Sequence, residues 1–78
     1  MDNYTIEEHD KVKRITTTLK DYYSMPTHYQ YVRKYKFSFL WEMVELAMSV
    51  PNHKVTKSRG AIYVSNVKRY GNSPDTWN

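Results

Sequence analysis

The chain has 78 residues, no cysteine and a formal net charge of +4. That length holds one domain burying about 60–65% of its unfolded surface, and the lack of cysteine excludes disulfides and thiolate metal sites. No apolar run reaches the roughly 18 residues a bilayer span needs, and no basic-then-apolar leader opens the chain, so a cytoplasmic protein without membrane association is expected.

Residues 1–3 are expected to fray. Thr5 and Glu8 have the spacing of a capping box, in which each side chain satisfies a backbone N–H of the other. Acidic Glu7, Glu8 and Asp10 then precede basic Lys11, Lys13, Arg14 and Lys20, the order a helix dipole favours. Val12, Ile15, Leu19 and Tyr22 supply an apolar stripe, so the spacing predicts a helix over residues 5–23. Met25 stands before Pro26, which biases it toward an extended conformation and marks the helix end.

Tyr29, Tyr31, Arg33, Tyr35, Phe37 and Phe39 then occupy alternate positions, the period of a strand, predicted over residues 28–37. The period changes at Ser38. Leu40, Met43, Val44 and Ala47 form a helical ridge widened by Phe39, Leu46 and Val50, with Ser38 as N-cap and Pro51 as stop, giving a helix over residues 39–50. Beyond Pro51, short runs flank Ser58-Arg59-Gly60 and read as a hairpin with strands at 53–57 and 61–67, Gly60 supplying a left-handed turn position. Residues 1–71 make the domain and residues 72–78 a C-terminal tail of turn composition, in which Trp77 either folds back on the core or anchors a partner.

The expected fold is therefore α+β, in the order α-β-α-β-β, with a three-stranded antiparallel sheet covered by two helices. A winged helix-turn-helix is the second choice, with residues 28–35 as a helix, 38–50 as the recognition helix and 53–67 as the wing. Its recognition helix would present Trp41, Glu42, Glu45, Met48 and Ser49 outward, none of which is Arg, Lys, Asn or Gln to read a base.

Chemistry is sparse. His9, His28 and His53 are isolated in sequence, so no metal site is expected. The only glycines, Gly60 and Gly71, form no phosphate loop, and no nucleophile motif is present, so no cofactor is expected. His28, His53 and Arg59, with tyrosines and lysines, are the residue types of a metal-free ribonuclease site of the general acid/base kind, but any basic surface carries them, and the expected protein is not an enzyme.

Charge placement says more than net charge. Residues 1–32 carry four Lys or Arg against five Asp or Glu, whereas residues 33–69 carry eight against two. A concentration of that kind points to a polyanion, DNA or RNA, as partner. The expected contacts are Tyr31, Arg33, Lys34 and Lys36 on the aromatic strand, Lys54, Lys57 and Arg59 on the hairpin, and Lys68 and Arg69 beyond it: rings stack bases while cations neutralise phosphates. The alternative is a protein-binding adaptor or inhibitor acting through Trp41, Glu42, Glu45, Met48 and Trp77. In composition alone, a very small, cysteine-free, tyrosine-rich basic chain resembles accessory proteins that phages direct at host protein complexes. A homodimer through paired sheet edges is a further possibility.

Overall fold

The computed structural model describes residues 3–78; Met1 and Asp2, expected to fray, lie outside the described residues. Helix α1 spans Ile6–Leu19 and opens on the predicted capping box. The Thr5 N–H donates to Glu8 Oε1 at 2.8 Å, and the Glu8 N–H donates to Thr5 Oγ1 at 3.1 Å. Val12, Ile15, Thr16 and Leu19, spaced three and four apart, are buried. The helix stops four residues short of the predicted end because Lys20 turns left-handed, with φ of 55°, and its N–H closes on the Thr16 carbonyl.

Helix α2, Met25–Lys34, replaces the predicted strand over residues 28–37. Pro26 lies in its first turn, where a missing N–H costs nothing and the fixed φ suits a helix start. The alternating rings belong to a helix because Met25, His28, Val32 and Tyr35 also fall at helical spacing and that set meets the core, with His28, Val32 and Tyr35 buried. The tyrosines between them leave in different directions, Tyr29 toward Tyr4 and His9, Tyr31 toward Tyr35 and Tyr63. They never share one face.

Helix α3, Phe37–Ser49, starts two residues before the predicted helix, with Lys36 as N-cap; Ser38 lies inside the first turn and makes no cap bond. Phe39, Leu40, Met43, Val44 and Ala47 are its buried face. A 3₁₀ turn at Asn52–Lys54 and helix α4, Arg59–Tyr70, occupy the sequence read as a hairpin. Ser58 caps α4 by accepting the Ala61 N–H at 3.0 Å, and Gly60, Tyr63 and Val67 are buried at helical spacing. Gly60 is helical, not left-handed. It is small for another reason: a Cβ there would overlap the carboxylate of Asp21.

The four α-helices of the described residues form two antiparallel hairpins. Glu8 of α1 meets Arg33 of α2, while Asp21 beyond α1 meets His28 early in α2. The last carbonyls of α3 meet Arg59 of α4, and Gly71 after α4 packs on Tyr35 just before α3. A second 3₁₀ turn, Pro74–Thr76, brings the terminus back across the α2–α3 junction. There Lys36 N–H donates to the Thr76 carbonyl and Asn78 N–H to the Lys34 carbonyl, framing a single antiparallel bridge between Tyr35 and Trp77.

That bridge is the only β pairing among the described residues, so the protein is all-helical and the three-stranded sheet does not exist. The winged alternative falls with it, because residues 53–67 contain a 3₁₀ turn and a helix where the wing would be.

Replacing Leu40, which is fully buried, by Ala should lower unfolding free energy by about 2–5 kcal/mol in urea denaturation. Leu46→Ala, on the open side of the same helix, should stay within about 0.5 kcal/mol of the parent. Equal losses would mean that α3 is rotated from the orientation described.

Candidate nucleic-acid interface

The structure divides the basic residues into those held by the protein and those left open. Arg33 belongs to the first group. Its Nε and one terminal nitrogen donate to the two Glu8 oxygens at 3.1 and 2.9 Å, the latter nitrogen also reaches the Asn3 carbonyl, and the guanidinium lies 4.1 Å from the Tyr4 ring centre. Arg33 thereby ties the segment before α1 to α2. Chiefly through the Arg33 hydrogen bonds, then through the Thr5 N–H, the Glu8 carboxyl is held down at about 2, against an ordinary 4.5.

Arg59 is held too. One guanidinium nitrogen donates to the carbonyls of Ala47, Met48 and Val50 at 2.8, 3.2 and 2.9 Å, and the other to Asn52 Oδ1 at 2.6 Å. The cation closes the C-terminal end of α3, where carbonyls lack helical partners and the dipole is negative. Tyr31 is half-buried, edge-on to Tyr35 and Tyr63, and burial raises its hydroxyl pKa.

Lys34, Lys36, Lys68 and Arg69 are exposed at one end of the molecule. Lys34 Nζ stands 5.3 Å from the Tyr35 ring centre and 5.6 Å from that of Trp77. The Trp77 indole N–H donates to the Gly71 carbonyl at 2.8 Å, which seats the ring beside the C-terminus of α4. Lys68 and Arg69 occupy the last turn of that helix. Gly71 itself lies so close to the Tyr35 ring that a Cβ would be 2.8 Å from it. Lys54 and Lys57 are exposed in the α3–α4 connection, before the other end of α4, whose first residue lies about 14 Å along the axis from Lys68. The nine predicted contacts are thus not one surface.

The second predicted patch is also divided. Trp41 stacks on Phe37, with ring centres 5.8 Å apart, and lies under Arg14; Trp77 has Lys34, Tyr35 and Gly71 for neighbours. Glu42 and Glu45 line a shallow depression on α3 with Leu46 and Ser49, and Met48 is exposed on the same helix.

Sequence reading missed Lys11, Lys13 and Arg14. Lys11 and Arg14 lie over the Phe37 ring, and Arg14 also over Trp41, at 5.3–5.9 Å. Their three-residue spacing puts them on one side of α1, but only the packing of α1 on α3 reveals the rings beneath them.

Of the residues suited to acid/base chemistry, His28 is fully buried. Its Nε2 pairs with Asp21 Oδ2 at 3.1 Å, and its ring stacks on that of Tyr63. Asp21 Oδ1 accepts the Tyr23 N–H, and burial drives the Tyr63 hydroxyl pKa upward. Among the described residues no group of three His, Asp or Glu is placed to hold a metal ion, and no helix is long and apolar enough to cross a membrane.

Two substitutions test the held cations. Arg59→Ala should lower unfolding free energy by about 1.5–3 kcal/mol, read by chemical denaturation. Because the Glu8 pKa is depressed in the folded state, its stabilisation is complete above the unfolded carboxyl value and is lost as pH falls through the folded one. The melting temperature should therefore drop more between about pH 5 and pH 2 in the parent than in Glu8→Gln. Parallel curves would remove the Glu8–Arg33 pair from the account.

Comparison with known proteins gives no match to a family model, a curated protein or a solved structure.

Proposed function

We propose that the protein binds nucleic acid at the end of the molecule where α2 and α4 finish. The observation that carries this reading is the set of Lys34, Lys36, Lys68 and Arg69 around a partly exposed indole, none of them in an ion pair among the described residues, with Asp75 of the neighbouring 3₁₀ turn the one carboxylate of that segment. Among the described residues only Asp21–His28 and Glu8–Arg33 approach as ion pairs. Four open cations provide a counter-surface for phosphates, and their binding would release counterions. Trp77 and Tyr70, 38% and 50% exposed, offer rings beside them.

Fluorescence anisotropy with labelled oligonucleotides across a salt series tests it. Affinity should fall linearly in log–log salt, and Lys34→Ala, Lys36→Ala, Lys68→Ala and Arg69→Ala should each reduce the slope by about one contact. Lys54→Ala and Lys57→Ala, at the far end, should leave the slope unchanged. Four unaltered slopes at the first set would sink the reading.

A protein partner is the second reading, supported by Leu46 and Met48, which are 46% and 41% exposed on the helix that carries Glu42 and Glu45. Absence of oligonucleotide binding at low salt would favour it.

A further inference from the structure

Between α1 and α3 runs a shallow groove lined by Lys13, Arg14, Thr17, Thr18 and Trp41. We infer that this groove takes an unpaired nucleobase of single-stranded nucleic acid against Trp41, with the adjoining phosphate held by Arg14 and Lys13. The inference rests on the nucleic-acid reading above and adds the substrate class.

Its floor is aromatic. Trp41 is only partly covered, and Phe37 stacks against it with planes 29° apart, so the indole is fixed in place before any ligand arrives. Its rim is cationic. The Arg14 guanidinium is steadied by the two rings at 5.3 and 5.5 Å, and Lys11 by Phe37 at 5.9 Å. Asp10 lies one turn before Arg14 on α1, yet no carboxylate among the described residues pairs with Lys11, Lys13 or Arg14. Thr18 is occupied, donating its hydroxyl to the Arg14 carbonyl at 2.8 Å, whereas Thr17 stands exposed on the rim.

An indole overlain by the Arg14 guanidinium, itself a flat stacking surface, with Lys13 on the rim matches a ligand that is flat and apolar in one part and anionic in the next. A nucleotide has that composition. Free phosphate would leave the indole unused, and an apolar peptide would leave the cations unused. A duplex keeps its bases stacked on one another, so only an unpaired base can reach a side groove. Position also favours a continuous track, because Lys36, at the cationic end, directly precedes Phe37.

The test follows the two indole N–H signals of the full chain by ¹H–¹⁵N NMR, assigned with Trp41→Phe and Trp77→Phe. An oligothymidylate of about 12 nucleotides should shift the Trp41 signal, and a duplex of equal length should not. The Lys13→Ala/Arg14→Ala double variant and Thr17→Glu, all at exposed positions, should each cost about tenfold in single-strand affinity by anisotropy while retaining the parent's circular dichroism. Oligothymidylate binding that saturates the anisotropy without moving the Trp41 signal would overturn this inference and leave the cationic end as the site. Equal Trp41 shifts with duplex would overturn the preference for single strands. No binding of either oligonucleotide would overturn the nucleic-acid reading and this one with it.

Discussion

The fold depends on a buried polar pair in the first helical hairpin against which the second packs. Asp21, at the turn after α1, meets His28 of α2 on one side and the bare backbone of Gly60 in α4 on the other, while Tyr63 stacks on His28 one turn further along. A carboxylate and an imidazole removed from water are costly unless paired, and here each holds the other in place. The geometry leaves no room for a side chain at Gly60, so this one contact dictates how closely α4 approaches the α1–α2 turn. The apolar core then fills the space set by that approach, with Val12, Ile15, Leu40, Val44 and Val67 all closed to solvent.

Charge follows the same logic of prior commitment. Arg33 and Arg59 look like surface cations in a list of residues, yet one pins the N-terminal segment and the other closes a helix end. Of the lysines and arginines left without such duties, Lys34 lies beside Trp77 and Lys11 and Arg14 lie over the Phe37–Trp41 stack, whereas Lys20, Lys54 and Lys57 stand exposed elsewhere. Both places pair cations with rings. A solvated basic surface needs no such pairing.

Apart from one end of each, the first and third helices were readable from sequence, because the capping box of the first and the ridge of the third had no competitor. Thr5–Glu8 starts α1, and the Leu40–Ala47 ridge has one period only. The second and fourth helices carried two periods at once. Alternating rings at residues 29–39 obscured Met25, His28, Val32 and Tyr35, and the Ile62-Tyr63-Val64 cluster, rich in strand-favouring side chains, obscured Gly60, Tyr63 and Val67. Burial against a neighbouring helix decided both cases, and that information is not local. Pro26 was legible in either direction, as a stop for the preceding helix or a start for the next, and the start prevailed. For the candidate sites, the residue types were visible but their partners were not: Arg33 finds Glu8 across 25 positions, and Arg59 finds backbone carbonyls, which no side-chain pattern announces.

The terminal strap over the α2–α3 junction has a kinetic consequence. It is held by backbone bonds at Lys36 and Asn78, by the Asn78 side-chain amide on the Arg33 and Tyr35 carbonyls, and by one indole bond. None of these passes through the buried core of α1 and α3, so the strap can detach in a sub-global opening while the helices stay folded. Its amides would then exchange with solvent far sooner than those of α3. Detachment also carries Trp77 away from Lys34. A ligand that needs both sees only the closed fraction, and its apparent affinity is scaled by how often the strap is shut.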